Sequence, residues 1–360
     1  MKNERITSID ALRAVVLLGI LLVHTLGLFG FTNGSNIFSY FSSLDTSLRE
    51  FIVWLLSGRC NVIFSLLFGV SFYLILKNPN YSSLKFAYRC MLLSLLGLVV
   101  KCFYTYDVLM WYGIMGIFLV LFRHLKPRYL FLSFCLLAFF SVYLKKISIG
   151  EFLFNPKEVE RYIATNSLFD IIRYPLVDSV VDYLREVVSG GTLNTLSYFV
   201  LGYFFAKVGI IENLSKYSSM RNILILLVLY VPLWFYYHKF YGSILYYFYC
   251  LFGAFFYAMI FLFFYYKFCA KISFSCLESY GKLGLTNYVM QNIYGVIFVS
   301  TIFIPYRFQF TSILVCSLVF YVIQMLFSVV WLRYYRYGPL EWCWRTLTNM
   351  RAISNRKASL

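Results

Sequence analysis

The first 24 residues hold the pair of ionisable side chains best placed for chemistry. Arg13 closes the block Ser8-Ile9-Asp10-Ala11-Leu12-Arg13, and His24 lies eleven residues further on, inside an apolar run. On a helix rising about 1.5 Å per residue they stand about 16 Å apart. That puts a cation at one membrane face and an imidazole roughly halfway through. Ionisable groups in lipid are costly and usually face a polar interior, a cavity or a substrate path. Imidazole changes charge near neutral pH, so His24 reads as a general base or proton relay. The other reading is a core histidine hydrogen-bonded across helices. His124 and His238 stand at loop edges and read as solvated.

Other polar residues stand out against the apolar background. Asp10 and Arg13, three apart at a helix start, fall on one face and can pair. A second reading makes Asp10 a carboxylate favoured by the helix dipole and Arg13 a positive-inside charge; a third has Arg13 supply a guanidinium fork for an anionic ligand such as a phosphate. Arg59 sits inside a second apolar segment, with Asn61 beside it. It either snorkels to the outer surface or lines a cavity with Asn61. Ser65 and Gly69, four apart, have the spacing that lets helices approach closely. Lys101 and Asp107 flank a short turn where they can pair, and Asp107 can cap the helix that follows. Asn287 and Gln291, four apart, serve either as interhelical glue or as ligand groups. Gly338-Pro339-Leu340-Glu341-Trp342-Cys343-Trp344-Arg345 reads as a turn and an amphipathic interfacial helix with Trp342 and Trp344 as anchors.

These residues must be positioned by membrane-spanning helices. Hydrophobic residues make up 61% of the chain and charged ones 13%, with a mean hydropathy of +0.74; soluble domains are nearer half apolar and a quarter charged. The expected fold is all-α, a polytopic helix bundle of ten spans at roughly 14–30, 52–76, 88–104, 107–122, 128–144, 193–209, 222–238, 244–266, 285–304 and 312–332. The first run, lacking a small-residue cleavage site, reads as a retained helix rather than a signal peptide. The net charge of +17 reflects placement rather than nucleic-acid binding. Most Lys and Arg fall on the side of the N-terminus, so both termini are expected in the cytoplasm. The chain reads as a single integral membrane domain over 1–360, with a basic cytoplasmic tail at 333–360. The long loop at 147–190 is expected outside the cell. It carries Val177, Val180, Val181, Leu184 and Val187 at amphipathic helical spacing. The nine cysteines show no metal-site spacing and no disulfide framework. No metal is expected, and no Walker, zinc, GxSxG or dinucleotide motif is present.

Five blocks in order carry a family resemblance over nearly the whole chain. They are Ser8–Arg13 with Leu17–Val23; Phe64-Ser65-Leu66-Leu67-Phe68-Gly69; Asp107 with Tyr112 and Gly116; Leu285-Thr286-Asn287-Tyr288 with Gln291; and Gly338–Trp342 with Trp344-Arg345. Together they resemble the bacterial YeiB-like integral membrane family (domain of unknown function 418). That family is similar to the transmembrane acyltransferases, namely acyltransferase family 3 and the heparan-glucosaminide N-acetyltransferase type. Family 3 enzymes carry Arg, ten residues and His on their first helix, the spacing of Arg13 and His24. The YeiB-like pattern commonly has Asn at the His24 position, so this chain departs towards the enzymes. The resemblance implies a bacterial plasma-membrane acyltransferase. Its donor is cytoplasmic acetyl-CoA or another acyl-CoA, with phosphates near Arg13, and its acceptor an extracytoplasmic or lipid-linked glycan. His24 is then base or acyl relay, supported by Arg13 and Asp10; Arg59, Asn61, Asp107, Asn287 and Gln291 are the substrate-binding candidates. The competing expectation is a transporter or flippase of a small metabolite or lipid-linked sugar. A third is a catalytically silent partner in a cell-envelope complex.

Overall fold

The computed structural model describes residues 6–30, 42–78, 81–101, 107–147, 186–187, 189–236, 244–295, 297–298 and 308–357. Where described, the chain is almost wholly helical, as expected of backbone that must satisfy its own polar groups in lipid. The helices run α1 (Thr7–Gly30), α2 (Ser43–Leu56), α3 (Arg59–Leu76), α4 (Ser83–Lys101), α5 (Leu109–Leu119), α6 (Pro127–Ile147) and α7 (Gly191–Lys207). Then follow α8 (Leu214–Tyr217), α9 (Met220–Tyr236), α10 (Ile244–Phe268), α11 (Ser275–Lys282), α12 (Gly284–Tyr294), α13 (Phe310–Tyr334) and α14 (Pro339–Asn349). Each of the ten expected spans overlaps a described helix, although the one expected at 285–304 extends beyond the described residues.

Among the described residues, six stretches are long and apolar enough to cross a membrane: Thr7–Leu26, Ser43–Leu76, Ser83–Lys101, Pro127–Ile147, Ile244–Phe268 and Phe310–Tyr334. A seventh arises if Gly191–Lys207 and Ile211–Tyr217, bent by 65°, form one span. Leu109–Phe122 and Met220–Tyr236 are apolar but shorter. The amphipathic segment expected around 177–187 lies almost entirely outside the described residues.

Two boundaries differ from the hydropathy reading. α1 begins at Thr7, so the Ser8–Arg13 block is helical, with Asp10 in the first turn where the dipole favours a carboxylate. The second apolar run starts at Ser43 and is two helices, broken at Ser57–Gly58. Gly58 has φ +78°, a left-handed conformation that glycine adopts at little cost. Hydropathy is blind to such a break because both sides of it are apolar.

The chain divides into two compact units, Met1–Phe64 with Ala258–Leu360, and Ser65–Tyr257. In the second unit, α3 and α7 cross with backbones in contact. A methyl group on Gly69 would lie 2.0 Å from the Phe199 carbonyl oxygen, and one on Gly202 2.1 Å from that of Leu66. Ser65 hydrogen-bonds Tyr112 at 2.7 Å, and Phe68 stacks on Phe199 at 4.4 Å. The Ser65/Gly69 spacing thus marks a real helix contact. Gly69→Leu is expected to destabilise this unit by about 3 kcal/mol or more, beyond ordinary overpacking because backbone must yield. A thermal-unfolding series including Gly209→Ala checks it: nothing lies within 4 Å of a methyl group added there, so that variant reports the backbone strain of φ +80° without overpacking.

In the first unit α1 is the central element. Gly281 of α11 packs so closely that a methyl group there would meet the Asp10 carbonyl oxygen at 1.8 Å. Tyr321 of α13 donates to the Ala14 carbonyl at 3.0 Å. Further along, Leu26, Ile52 and Phe310 form a core cluster with Leu22, Leu48, Val53, Leu56 and Leu314. The chain after α13 folds back on itself: Arg336 N donates to Asn355 O at 2.9 Å, and Lys357 N to Tyr334 O at 3.0 Å.

Candidate functional site

The polar candidates of the first unit collect along α1. At its start Arg13 pairs with Asp10 at 2.8 Å and donates to the Gly281 carbonyl at 3.3 Å. These bonds tie the loop-proximal end of α1 to α11. Asp10 is buried, while Arg13 retains partial exposure. The same turn is held by Thr7 and Ser8, each 2.9 Å from the hydroxyl of Tyr265 and Tyr266 respectively. Tyr265 in turn donates to Glu278 at 2.7 Å.

His24 lies three turns beyond Arg13 on the same helix and is partly buried. Its Nδ1 is 3.3 Å from Asn292 Oδ1. An amide oxygen only accepts, so the neutral ring carries its proton on Nδ1 and its basic lone pair on Nε2. Tyr288, one turn before Asn292 on α12, meets the imidazole edge-on with centroids 5.9 Å apart. Phe64 of α3 stacks against Tyr288 at 6.5 Å. One helix face of α12 therefore sets both the tautomer and the orientation of His24.

Arg59 is buried at the first position of α3, directly after the break, and donates to Ser57 O at 2.8 Å. The neighbouring Cys60 packs on α1 at Gly19, where an added methyl group would meet Sγ at 2.4 Å. The break thus sits alongside α1 between Arg13 and His24. Asn61 is exposed. Asp107 belongs to the other unit, buried, with its carboxylate accepting from Leu109 N at 2.9 Å at the start of α5. Asp107 does not cap α5 as expected: Val108 holds the N-cap position without a side-chain bond, and Asp107, one residue earlier, takes the N–H of the first helical residue.

Asn287 and Gln291 are buried and joined in one network. Asn287 Nδ2 donates to Tyr280 O and Ser328 Oγ, both at 3.0 Å. Gln291 Nε2 donates to Tyr280 Oη at 2.8 Å and to Leu17 O of α1 at 3.3 Å. Burial holds the Tyr280 phenol well above its ordinary range, so it remains a donor, to Gln324 Oε1 at 2.9 Å. These two amides bind α12 to α11, α13 and α1.

Several residues of the site were not singled out in the sequence. Asn292 directly follows Gln291, and three amides within six residues of an apolar segment were the available signal. Tyr280 and Gln324 carried none. Glu341 anchors the start of α12: its carboxylate accepts from Leu285 N at 2.7 Å, Thr286 N at 3.0 Å and Thr286 Oγ1 at 2.5 Å. It satisfies donors that any helix N-terminus leaves open. Glu341→Ala is expected to cost about 2 kcal/mol, the range for charge-assisted bonds. Thermal unfolding of the purified protein reads this, with Glu341→Gln retaining part of the loss.

Long apolar helices packed about a polar seam define a polytopic helical membrane protein. Residues 205–351 match the family described as "Protein of unknown function (DUF418)". That part of the chain is similar to this family. The chain is 28% identical over 356 residues to "Uncharacterized 39.9 kDa protein in amylase 3'region" of Bacillus acidopullulyticus, covering 97% of this chain and 95% of that one. It is 26% identical over 399 aligned residues to "Uncharacterized protein YxaH" of Bacillus subtilis (strain 168), with the same coverage of 97% and 95%. A stretch of 68 residues is 37% identical to "Uncharacterized protein YeiB" of Escherichia coli (strain K12), covering 19% of this chain and 18% of YeiB. No solved structure matches the chain.

Proposed function

We propose that the protein is a plasma-membrane acyltransferase that moves an acetyl or other acyl group from cytoplasmic acyl-CoA to a hydroxyl or amine of an extracytoplasmic or lipid-linked glycan. The observation that carries this reading is His24 inside a membrane helix, with Nδ1 against Asn292 Oδ1 at 3.3 Å and Nε2 left as the basic nitrogen. An imidazole oriented in this way by an acceptor is equipped to remove a proton from an attacking nucleophile. The acceptor then attacks the thioester carbon, the carbon–sulfur bond breaks, and the proton taken by His24 passes to the departing CoA thiolate. Acyl relay through the imidazole is the two-step variant of the same transfer. Arg59 or Asn61 stabilises the oxyanion. Arg13, held by Asp10 and Gly281 O, positions the start of α1 near the donor phosphates.

In this reading the chain crosses the membrane ten times, with both termini in the cytoplasm. Clusters such as Lys77, Lys85 and Arg89, and Arg123, Lys126 and Arg128, support that orientation. Lipid is the surrounding partner, and nucleic acid is not one.

One observation favours a second reading, transport of a small metabolite or lipid-linked sugar. The apolar stretch Ser43–Leu76 is broken at Gly58 with buried Arg59 at the break, and broken helices mark many transporter sites. A thiol-release assay separates the two. Purified protein with acetyl-CoA and a panel of envelope glycans is expected to release free CoA in an acceptor-dependent manner. Glycan or metabolite flux into vesicles without CoA release would replace acyl transfer by transport.

A further inference from the structure

The hydrogen-bond network that joins α11, α12 and α13 to α1 has a fixed direction at every step. Ser328 Oγ donates to Gln324 O at 2.8 Å, so it can only accept from Asn287 Nδ2. The second partner of that nitrogen, Tyr280 O, is a carbonyl. Tyr280 spends its hydroxyl proton on Gln324 Oε1, so it too can only accept, here from Gln291 Nε2, whose other partner is the Leu17 carbonyl. Gln324 Nε2 donates to Asn287 O at 3.0 Å. Neither Asn287 nor Gln291 can be turned over without setting oxygen against oxygen.

This assignment leaves Asn287 Oδ1 and Gln291 Oε1 buried with no hydrogen-bond donor among the described residues. The two residues are 0% and 3% exposed. The network therefore has two acceptors in surplus and no donor to match them. Both lie on one face of α12, four residues and about one turn apart.

We propose that this seam is a closed binding site for one water molecule, which donates one hydrogen to Asn287 Oδ1 and the other to Gln291 Oε1. Water matches the count, two donors for two acceptors, and brings no charge into apolar surroundings. Buried waters serve polar groups left over in this way, and a bridge through one water suits side chains a helical turn apart. A hard cation would need six or more oxygen ligands, which two neutral amides do not approach. The direct bonds of the two amide nitrogens hold α12 against its neighbours; the water would satisfy the oxygens on the turn that precedes Asn292. The inference rests on the network alone and stands whether or not the protein transfers acyl groups.

Hydroxyl-radical footprinting by synchrotron radiolysis of the full-length protein in lipid nanodiscs tests it, because radicals form from bound water inside the protein. Tyr280 is 0% and Tyr249 1% exposed, so solvent alone gives both little modification. Tyr280, hydrogen-bonded to the Gln291 amide, is expected to be oxidised several-fold faster than Tyr249. Gln291→Met is expected to bring Tyr280 down to the Tyr249 rate while tyrosines elsewhere keep theirs. Equal rates in the unaltered protein would overturn the proposal even if the variant fails to fold. A Tyr280 rate that falls as sodium or ammonium is added would replace the water with a cation.

Discussion

The His24→Ala protein is expected to insert and unfold as the parent does, while acyl transfer falls by about 10²- to 10⁴-fold, the usual contribution of a positioned general base. The side chain is only partly buried, and its hydrogen bond to Asn292, at 3.3 Å, is long. Removing it costs the scaffold little. Asn292→Ala is expected to fall between the two, at about 10- to 10²-fold, since it leaves the base in place but no longer oriented. The rate should also fall as the imidazole becomes protonated in acid, and this dependence should vanish from the residual activity of His24→Ala. Steady-state thiol release across pH, beside thermal unfolding of the same preparations, checks both. Full transfer by His24→Ala would remove the histidine from the chemistry and leave it as a packing group.

The largest effect on stability is expected at Asp45. Its carboxylate accepts four hydrogen bonds, from Ser42 N at 3.1 Å, Ser42 Oγ at 2.8 Å, Thr311 N at 2.8 Å and Thr311 Oγ1 at 2.6 Å. Asp45 N donates in return to the Ser42 hydroxyl oxygen, completing a capping box at the start of α2. The same carboxylate closes the N-terminus of α13, so one buried charge serves two helix ends. Asp45→Ala strands backbone donors at both and is expected to cost about 3–5 kcal/mol, the range for breaking a buried charged network. Asp45→Asn, which keeps one acceptor oxygen, should cost about half that. Thr311→Val should lose about 1 kcal/mol, and combining it with Asp45→Ala should add almost nothing, because the bond is already gone. Unfolding midpoints of these four variants and the unaltered protein in one detergent decide this. Additive losses would show that Asp45 and Thr311 act separately.

The sequence made the class of fold legible because apolar runs dominate it, and a run long enough to span a bilayer has few alternatives to a helix. It also made His24, Arg13 and the small-residue contact at Ser65 and Gly69 stand out, since each is a residue type out of place in lipid or spaced for close packing. The break at Gly58 escaped, because a glycine within an apolar run shows its φ angle only in three dimensions. Asp45 escaped although Ser42-Ser43-Leu44-Asp45 has the spacing of a capping box; it lies before the apolar run that set the expected boundary at residue 52. Glu341 and Gln324 act on helices far away in sequence, and no local pattern carries such a pairing. Asn287 and Gln291 were legible as a pair on one face. Their donors are spent between helices, which spacing alone did not distinguish from a ligand site.

Acyl transfer by this protein requires that an acyl group leave CoA in a manner that needs His24. Proteoliposomes holding the full-length protein, given labelled acetyl-CoA on the side of the N-terminus and envelope glycans on the other, measure this directly. Label is predicted to appear in the glycan fraction with the unaltered protein and to be lost with His24→Ala. Label that stays on CoA in both, while glycan or metabolite crosses the membrane, would contradict acyl transfer and make the protein a transporter.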